Sequence, residues 1–265
     1  MARLKMMSFN LRWSGAKDGI NCFENRKPKI QALLQREAPD VIGFQEITPE
    51  MRRWLVTTMD EYYAVGGGRG KGYVGEAPLI MFRKEKMQLI SADTVMLSAT
   101  PKVPGSMYGL TDHSTCPRAY AKVLLKHDEI AEPFWFYNVH TDHFGAHGRI
   151  LASMQMMQDI NSHAYNFFLT GDLNAAPEST EIQLLFSACN RKLQDATEGL
   201  GGTCHGYGNP SHLDEKGELL PSTKIDYVFA GGEVEVIDAK VIVEKPADGI
   251  YSSDHFAVYA NVEIN

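Results

Sequence analysis

Five short apolar segments of this chain each end in polar side chains that can hold a metal ion or move a proton. The five endings are Phe9-Asn10, Gln45-Glu46, Asn138-Val139-His140, Gly171-Asp172-Leu173-Asn174 and Ser253-Asp254-His255. A sixth segment places Asp226 among Ile225, Val228 and Phe229, and a carboxylate in such a run is rarely buried without a partner. Because layered α/β folds build their sites at strand ends, the pattern predicts one site assembled from distant parts of the chain.

The hydrophobic pattern predicts more strands than helices. Helical spacing occurs at 23–36, after Thr48 as N-cap with Pro49 at the first helical position, at 148–164 and at 179–186. In the third helix, Met154, Met156 and Met157 are predicted to fill the core. Strand-like runs rich in β-branched and aromatic residues occupy 4–10, 41–46, 79–82, 87–97, 119–126, 133–140, 166–170, 225–230, 233–243 and 255–262. This arrangement favours two β-sheets with helices outside them over a single parallel sheet.

The composition, 44% hydrophobic and 22% charged, is that of a globular protein. The longest apolar run, 256–260, is far shorter than the ~20 residues of a membrane helix. The N-terminus lacks the apolar core of a signal peptide, and the four cysteines show no C-x-x-C spacing. We therefore expect a cytoplasmic protein with one domain over 1–265, no membrane span and no obligate protein partner.

The charge balance is informative about the partner. The 26 Lys and Arg residues against 33 Asp and Glu residues give a net charge of −7. A protein that grips long nucleic acid gains most of its affinity from basic side chains that neutralise phosphates. Nucleic acid is therefore a possible but disfavoured partner, whereas a small phosphorylated substrate needs only one or two cations.

Several of these segments have other interpretations when taken singly. Residues 171–174 also fit an ordinary turn, and Glu46 also fits an acid that favours a helix start. The spacing of His140, His143 and His147 suggests zinc, but no H-E-x-x-H pattern is present. Residues 70–75 match G-x-G-x-x-G, but a strand follows instead of a helix, which argues against dinucleotide binding.

Together and in this order, the polar segments resemble the endonuclease/exonuclease/phosphatase superfamily. The segments that carry the resemblance are Asn10, Gln45-Glu46, Gly75-Glu76, 138–143, 171–174, Asp226 and Ser253-Asp254-His255. Further stretches, 97–101, 104–106, Pro117-Arg118 and 203–207, resemble bacterial members of unassigned substrate. The resemblance spans Ser8 to Val262 and implies a four-layer α/β (α+β) sandwich, in which two packed, mostly antiparallel β-sheets are flanked by helices.

Phosphate-ester hydrolysis, the chemistry that the resemblance implies, needs an activated water and neutralised phosphoryl charge. The hard oxygen ligands of Glu46 and Asp254, with Asn10 nearby, favour Mg²⁺ or Mn²⁺ over zinc. The resemblance assigns Glu46 as the principal metal ligand. His255 is expected to act as general base, with Asp226 fixing its tautomer.

The remaining positions are expected to serve the phosphate group. Asp172 and Asn174 would orient the water and hold a phosphoryl oxygen. His140 would donate to the phosphate or the leaving group, with Glu76 as its carboxylate partner. Arg118 matches a phosphate-contacting arginine and suits bidentate recognition.

Some residues have two interpretations. Asn10 is expected to contact both the metal and the substrate. His143 either contacts substrate or braces Asp142, and Arg149 either extends the phosphate site or starts the helix. The polar loop over 199–221 is long enough to be functional, as is the glycine-rich loop over 66–75, and both are expected to wall the pocket. Further candidates to line the pocket are His205, His212, Lys216 and Lys224.

These observations predict a divalent-metal-dependent phosphodiesterase or phosphatase with a small or medium phosphorylated substrate. One alternative is a Mg²⁺-dependent endo- or exonuclease on DNA or RNA. Where deoxyribonucleases carry a groove-reading arginine after the metal-binding glutamate, this chain has Ile47-Thr48-Pro49. A second alternative is a catalytically idle binding protein, which is disfavoured because competent residues fill every proposed position.

Overall fold

Two six-stranded β-sheets form the centre of the computed structural model, which describes residues 1–265. The first sheet contains β1 (Ala2–Asn10), β2 (Val41–Ile47), β3 (Tyr62–Val65), β4 (Ala77–Arg83), β11 (Val234–Val241) and β12 (Val258–Ile264), in the order β11-β12-β1-β2-β4-β3. The second contains β5 (Met87–Met96), β6 (Ala119–His127), β7 (Phe134–His140), β8 (Phe167–Asp172), β9 (Leu193–Asp195) and β10 (Asp226–Gly231), in the order β5-β6-β7-β8-β10-β9. Each sheet has a single parallel pair, β1 with β2 and β7 with β8, so both sheets are mostly antiparallel.

Four helices cover the outer faces of the sheets. They are α1 (Phe23–Glu37), α2 (Pro49–Thr58), α3 (Ala146–Asn161) and α4 (Thr180–Ala188). Successive side chains of β1 point to opposite faces of the first sheet. Met6 packs in the apolar cluster between the two sheets, and Met7 packs in the cluster under α1 and α2. A third cluster packs α3 and α4 against the second sheet. The predicted four-layer sandwich is confirmed.

The predicted elements differ from the observed ones mainly in short or peripheral segments. The short strands β3 and β9 were not expected, and β12 begins at Val258 instead of residue 255. The predicted core position of Met154 is wrong, because this side chain is 52% exposed while Met156 and Met157 are buried. Buried positions on α3 follow the spacing 152, 156, 160 and 153, 157, and Met154 falls outside that stripe.

The local capping prediction at α2 is confirmed. The side chain of Thr48 accepts a hydrogen bond from the backbone nitrogen of Met51, and Pro49 occupies the first turn. No helix in the chain combines the length and the apolar character needed to cross a bilayer.

The register of the strands brings the polar segment ends together. Asn10 pairs with Gln45 at the ends of the parallel strands β1 and β2. In the second sheet, Asp172 lies between His140 on β7 and Asp226 on β10. The two sheets therefore present their polar residues at the same end of the sandwich, as the cross-sheet contacts below show.

Candidate active site

A cavity of about 410 Å³ opens at this end of the sheets. The predicted residues that line it are Glu46, Glu76, Arg118, His140, His143, Asp172, Asn174, Asp254 and His255. Asn10 and Asp226 lie just behind its wall, where they bond Asp172 and His255. The structure thus brings all eleven predicted site residues together. Asn10, however, is fully buried and does not line the cavity, and both atoms of its amide already bond the protein, so its expected contact with metal or substrate is absent.

Glu46 is held in an unusual backbone conformation at the cavity wall. Its φ of 63° lies in the left-handed region, which non-glycine residues rarely adopt and which is often found at functional sites. The register of β2 against β4 shifts between Phe44 and Ile47, so the irregularity includes this residue. The backbone nitrogen of Trp13 and the amide of Asn10 donate to the two carboxylate oxygens, at 2.8 and 3.2 Å.

His255, Asp226 and Asp172 form a buried, closely spaced group. Nδ1 of His255 lies 2.8 Å from Oδ2 of Asp226, which also accepts from the Thr203 hydroxyl at 2.6 Å. Nε2 of His255 lies 3.9 Å from Oδ2 of Asp172. The predicted pairing of Asp226 with His255 is therefore present.

The protonation of this group is set by burial and by its own charges. Burial, followed by the charge of Asp226, raises the pKa of Asp172 to about 7. For His255, burial disfavours the imidazolium, but Asp226 and Cys204 outweigh burial and raise the pKa well above the ordinary value. Protons in such a coupled group belong to the whole rather than to one side chain.

His140 lies beside this group, with 11% of its side chain exposed. Its pKa lies well below the ordinary value because of burial first, and then because of the charges of Arg118 and Arg69. Its Nε2 lies 3.5 Å from Oδ2 of Asp172, and its Nδ1 has no partner within the protein.

The predicted pairing of Glu76 with His140 is not what the structure shows. Oε1 of Glu76 lies 2.8 Å from Nη2 of Arg69. The backbone explains this, because the nitrogen of Arg69 donates to the carbonyl of Glu76 and so places the two residues side by side. Burial raises the pKa of the Glu76 carboxyl, and the charge of Glu46 raises it further. Together they outweigh the charge of Arg69, which lowers this pKa.

His143 holds Arg118 and does not brace Asp142. Nη2 of Arg118 donates to Nδ1 of His143 at 2.7 Å. The Asp142 carboxylate instead accepts from Ser114 and from the backbone nitrogens that follow it, those of Phe144 and Gly145. Burial, followed by the charge of Arg118, lowers the pKa of His143, so the ring remains an acceptor.

Arg149 braces the helices and does not extend the phosphate site. Its Nε donates to Glu181 at 2.6 Å and its Nη1 to the carbonyl of Asp142 at 3.1 Å. The residue is absent from the cavity lining.

The prediction that four basic residues in or just after the long loop line the pocket is wrong. His205 stacks on Phe256 outside the cavity, and Lys224 pairs with Asp195 at 2.7 Å. His212 faces the sulfur of Cys204, and Lys216 is exposed. The loop reaches the cavity only through Cys204.

Six lining residues were not among the predicted site residues. They are Arg12, Trp13, Arg69, Cys116, Cys204 and Ile225. Most lie within a few residues of a predicted segment, since Arg12 and Trp13 follow Asn10, and Cys116 precedes Arg118 by two positions. Arg69 lies in the glycine-rich loop, whose expected place at the pocket wall was the available signal.

The donor chemistry of the cavity fits a divalent cation. Glu46 and Asp254 offer hard carboxylate oxygens, the ligand type that Mg²⁺ and Mn²⁺ prefer. Asp172, Asp226 and His255 form a second candidate group, with potential ligand atoms within 4.8 Å of one another. There, however, Nδ1 of His255 and Asp226 already bond each other.

The two-sheet sandwich and this cavity are those of a hydrolytic phosphoesterase. The chain belongs to the Endonuclease/Exonuclease/phosphatase family, whose model matches residues 7–255. The members of this family are phosphoesterases or nucleases and typically depend on a divalent metal. This confirms the resemblance seen in the sequence.

Three solved structures illustrate the breadth of similar folds. The endonuclease/exonuclease/phosphatase of Bacteroides vulgatus matches with a TM-score of 0.89 and 23% identity over 100% of both chains. A mannosyl-6-phosphatase of Bacteroides thetaiotaomicron matches with a TM-score of 0.85 and 23% identity, over 98% of this chain and 100% of the other. TDP2 of D. rerio, complexed with single strand DNA product, matches with a TM-score of 0.75 and 16% identity, over 99% and 100%. At these identities the similarity establishes the fold alone.

Proposed function

We propose that this protein is a divalent-metal-dependent phosphoesterase that hydrolyses a small or medium phosphorylated substrate. The observation that carries the proposal is one cavity of about 410 Å³ that combines carboxylate oxygens, a buried Asp–His–Asp group and arginine side chains. Its volume falls within the ~300–1,000 Å³ range of small-molecule sites.

Glu46 and Asp254 would hold Mg²⁺ or Mn²⁺, with Asn10 fixing the Glu46 carboxylate from behind. A bound divalent ion supplies charge neutralisation at the phosphoryl oxygens. Arg12, whose Nε lies 3.5 Å from Oδ2 of Asp254, would limit how that carboxylate moves.

The Asp172–His255–Asp226 group would activate the water. As the oxygen of water bonds to phosphorus, its proton passes to this group. The bond to the leaving oxygen breaks with its electron pair on that oxygen, which then takes up the proton that the group received. Asn174, whose backbone nitrogen donates to Asp172 at 2.9 Å, fixes the direction of that carboxylate. His140 and Arg118 would contact the phosphoryl oxygens, His140 as a neutral hydrogen-bonding partner and Arg118 as a cation.

Two neighbours in fold favour different substrates. The Bacteroides mannosyl-6-phosphatase favours a phosphorylated sugar as substrate, whereas D. rerio TDP2, complexed with single strand DNA product, favours DNA. The net charge of −7 and the residues Ile47-Thr48-Pro49 after Glu46 favour the small substrate.

A turnover screen tests the proposal. Sugar phosphates, nucleotides, p-nitrophenyl phosphate, bis-p-nitrophenyl phosphate and oligonucleotides are each incubated with Mg²⁺, with Mn²⁺ and with EDTA. His255→Ala, purified identically, controls for contaminating phosphatases. We expect a metal-dependent preference for a small ester that the variant lacks. Efficient cleavage of oligonucleotides above all small esters would contradict the proposal.

A further inference from the structure

Arg118 has donors that the protein does not use. The residue is 3% exposed, lines the cavity, and has no partner for Nε or Nη1. Its nearest carboxylate oxygen, Oδ2 of Asp142, lies 3.6 Å from Nε and already accepts from Ser114. Because buried unpaired donors are costly, this guanidinium is suited to an anion that enters the cavity.

A second arginine is fixed at the same cavity by the glycine-rich loop. The backbone nitrogen of Gly68 donates to the carbonyl of Tyr73 at 3.0 Å, and that of Arg69 to the carbonyl of Glu76 at 2.8 Å. A Cβ at Gly68 would lie 2.4 Å from the carbonyl oxygen of Val74, so the loop needs glycine to close. The Arg69 side chain, 14% exposed, is thereby held at the cavity wall.

The two guanidinium charges act on each other. After burial, the charge of Arg69 is the largest influence that lowers the pKa of Arg118. The Glu76 carboxylate compensates Arg69, and the charges of Asp142 and Asp172 act on Arg118 in the opposite direction to Arg69, but no carboxylate is hydrogen-bonded to Arg118. A ligand with two negative charges relieves this repulsion more fully than a ligand with one.

From this arrangement we propose that Arg69 and Arg118 form a paired site that selects a phosphate monoester over a diester. The inference rests on the proposed phosphoesterase activity and narrows its substrate class. A monoester is mostly dianionic above its second pKa of about 6, whereas a diester carries one charge at any neutral pH. The substrate is therefore a small molecule with a terminal phosphate.

The test compares two esters with the same leaving group, p-nitrophenyl phosphate and bis-p-nitrophenyl phosphate, at pH 8 with Mg²⁺. We expect the wild type to favour the monoester. Arg69→Gln should lower kcat/KM for the monoester about 10- to 100-fold, the range of a lost charge-assisted contact, and lower the diester value far less. Arg69→Lys should recover part of the loss, because it retains the charge.

Lys71→Gln is the matched control. Lys71 lies in the same loop and is exposed, but it does not line the cavity. Its loss of charge should leave both kcat/KM values within about 2-fold, as is usual for a surface position. Thermal unfolding of each variant confirms that the loop substitutions retain the fold.

Competitive inhibition provides a second readout. Inorganic phosphate should inhibit the wild type more strongly than dimethyl phosphate, and Arg69→Gln should remove most of that difference. Equal losses for both esters, or a wild-type preference for the diester, would overturn the inference while the phosphoesterase function stands. Absence of metal-dependent turnover for both esters and for every other substrate of the screen would overturn the proposed function itself.

Discussion

Asn10 and Asp172 lie in different sheets, yet Nδ2 of Asn10 donates to Oδ2 of Asp172 at 2.9 Å. The same nitrogen donates to Oε1 of Glu46 at 3.2 Å. Asn10 is fully buried and is further fixed by the backbone nitrogen of Arg12, which donates to its Oδ1. One amide therefore sets the spacing between the carboxylate proposed to bind metal and the group proposed to activate water.

The first prediction concerns this link. Asn10→Ala removes a donor from two carboxylates, and we expect kcat to fall about 100-fold and the unfolding free energy to fall by about 1–3 kcal/mol. Asn10→Asp should lower activity further, because it places a third carboxylate beside those of Glu46 and Asp172. Steady-state kinetics and urea unfolding measure both effects, and an Asn10→Ala enzyme with wild-type kcat would exclude this role.

The second prediction concerns the metal. Glu46→Gln removes a charged oxygen ligand, so Mn²⁺ affinity measured by calorimetry should drop and activity should fall by about 10²-fold or more. The fold should survive, because Glu46 lies at the cavity wall and not in an apolar cluster. Glu50→Gln, an exposed glutamate on α2, should change neither quantity. Wild-type activity that persists in excess EDTA would refute the metal requirement.

The third prediction concerns proton transfer. His255→Ala should lower kcat by the ~10²–10⁴-fold typical of general acid–base catalysis. Asp226→Asn should also be damaging, because an amide can hold the imidazole in the wrong tautomer. His147→Ala, which alters an exposed histidine paired with Asp112, is the control. If Asp226→Asn retained full activity, the pairing would be structural only.

Much of the site could be predicted from the sequence, because many of its residues occupy strand ends, and the ends of neighbouring strands meet at one edge of the sheets. Asp226 and Asp172 pair across β10 and β8, and His140 pairs with Asp172 across β7 and β8. A polar residue at the end of an apolar run is therefore a candidate site residue, even when the loop conformations are not known.

The hydrogen-bond and stacking partners of the site residues could not be predicted in the same way, because they depend on loop conformations. Glu76 was expected beside His140, but the backbone closure of the glycine-rich loop gives it Arg69. His205 was expected in the pocket, but aromatic stacking on Phe256 directs it elsewhere. Such contacts depend on how loops that are distant in the sequence pack against each other. The local spacing of apolar and polar residues does not predict this packing.

The fourth prediction concerns acid stability. Burial alone would raise the pKa of Asp142, but hydrogen bonds from Ser114, Gly145 and Phe144 lower it well below the ordinary value. A depressed carboxyl pKa stabilises the fold above the unfolded pKa of about 3.9, and this stability is lost as the pH falls below that value. Asp142→Asn should therefore cost about 2 kcal/mol at pH 7 and progressively less towards pH 3.

Unfolding by urea at several pH values checks this dependence. The exposed Asp60→Asn is the control and should leave the profile unchanged. A constant difference between Asp142→Asn and the wild type from pH 7 to pH 3 would show that the charge of Asp142 does not stabilise the fold.

The last prediction concerns salt. An enzyme that contacts one or two phosphates through arginines and a metal releases few counterions, whereas a nuclease that contacts many phosphates releases several. We therefore expect kcat/KM for the best substrate to change less than about 6-fold between 20 and 150 mM salt, the change that a slope of about −0.9 gives for one phosphate contact. Plasmid DNA and long RNA should be poor substrates throughout. Efficient cleavage of a duplex that collapses as salt rises would instead establish a nuclease with a long basic track, which the net charge of −7 disfavours.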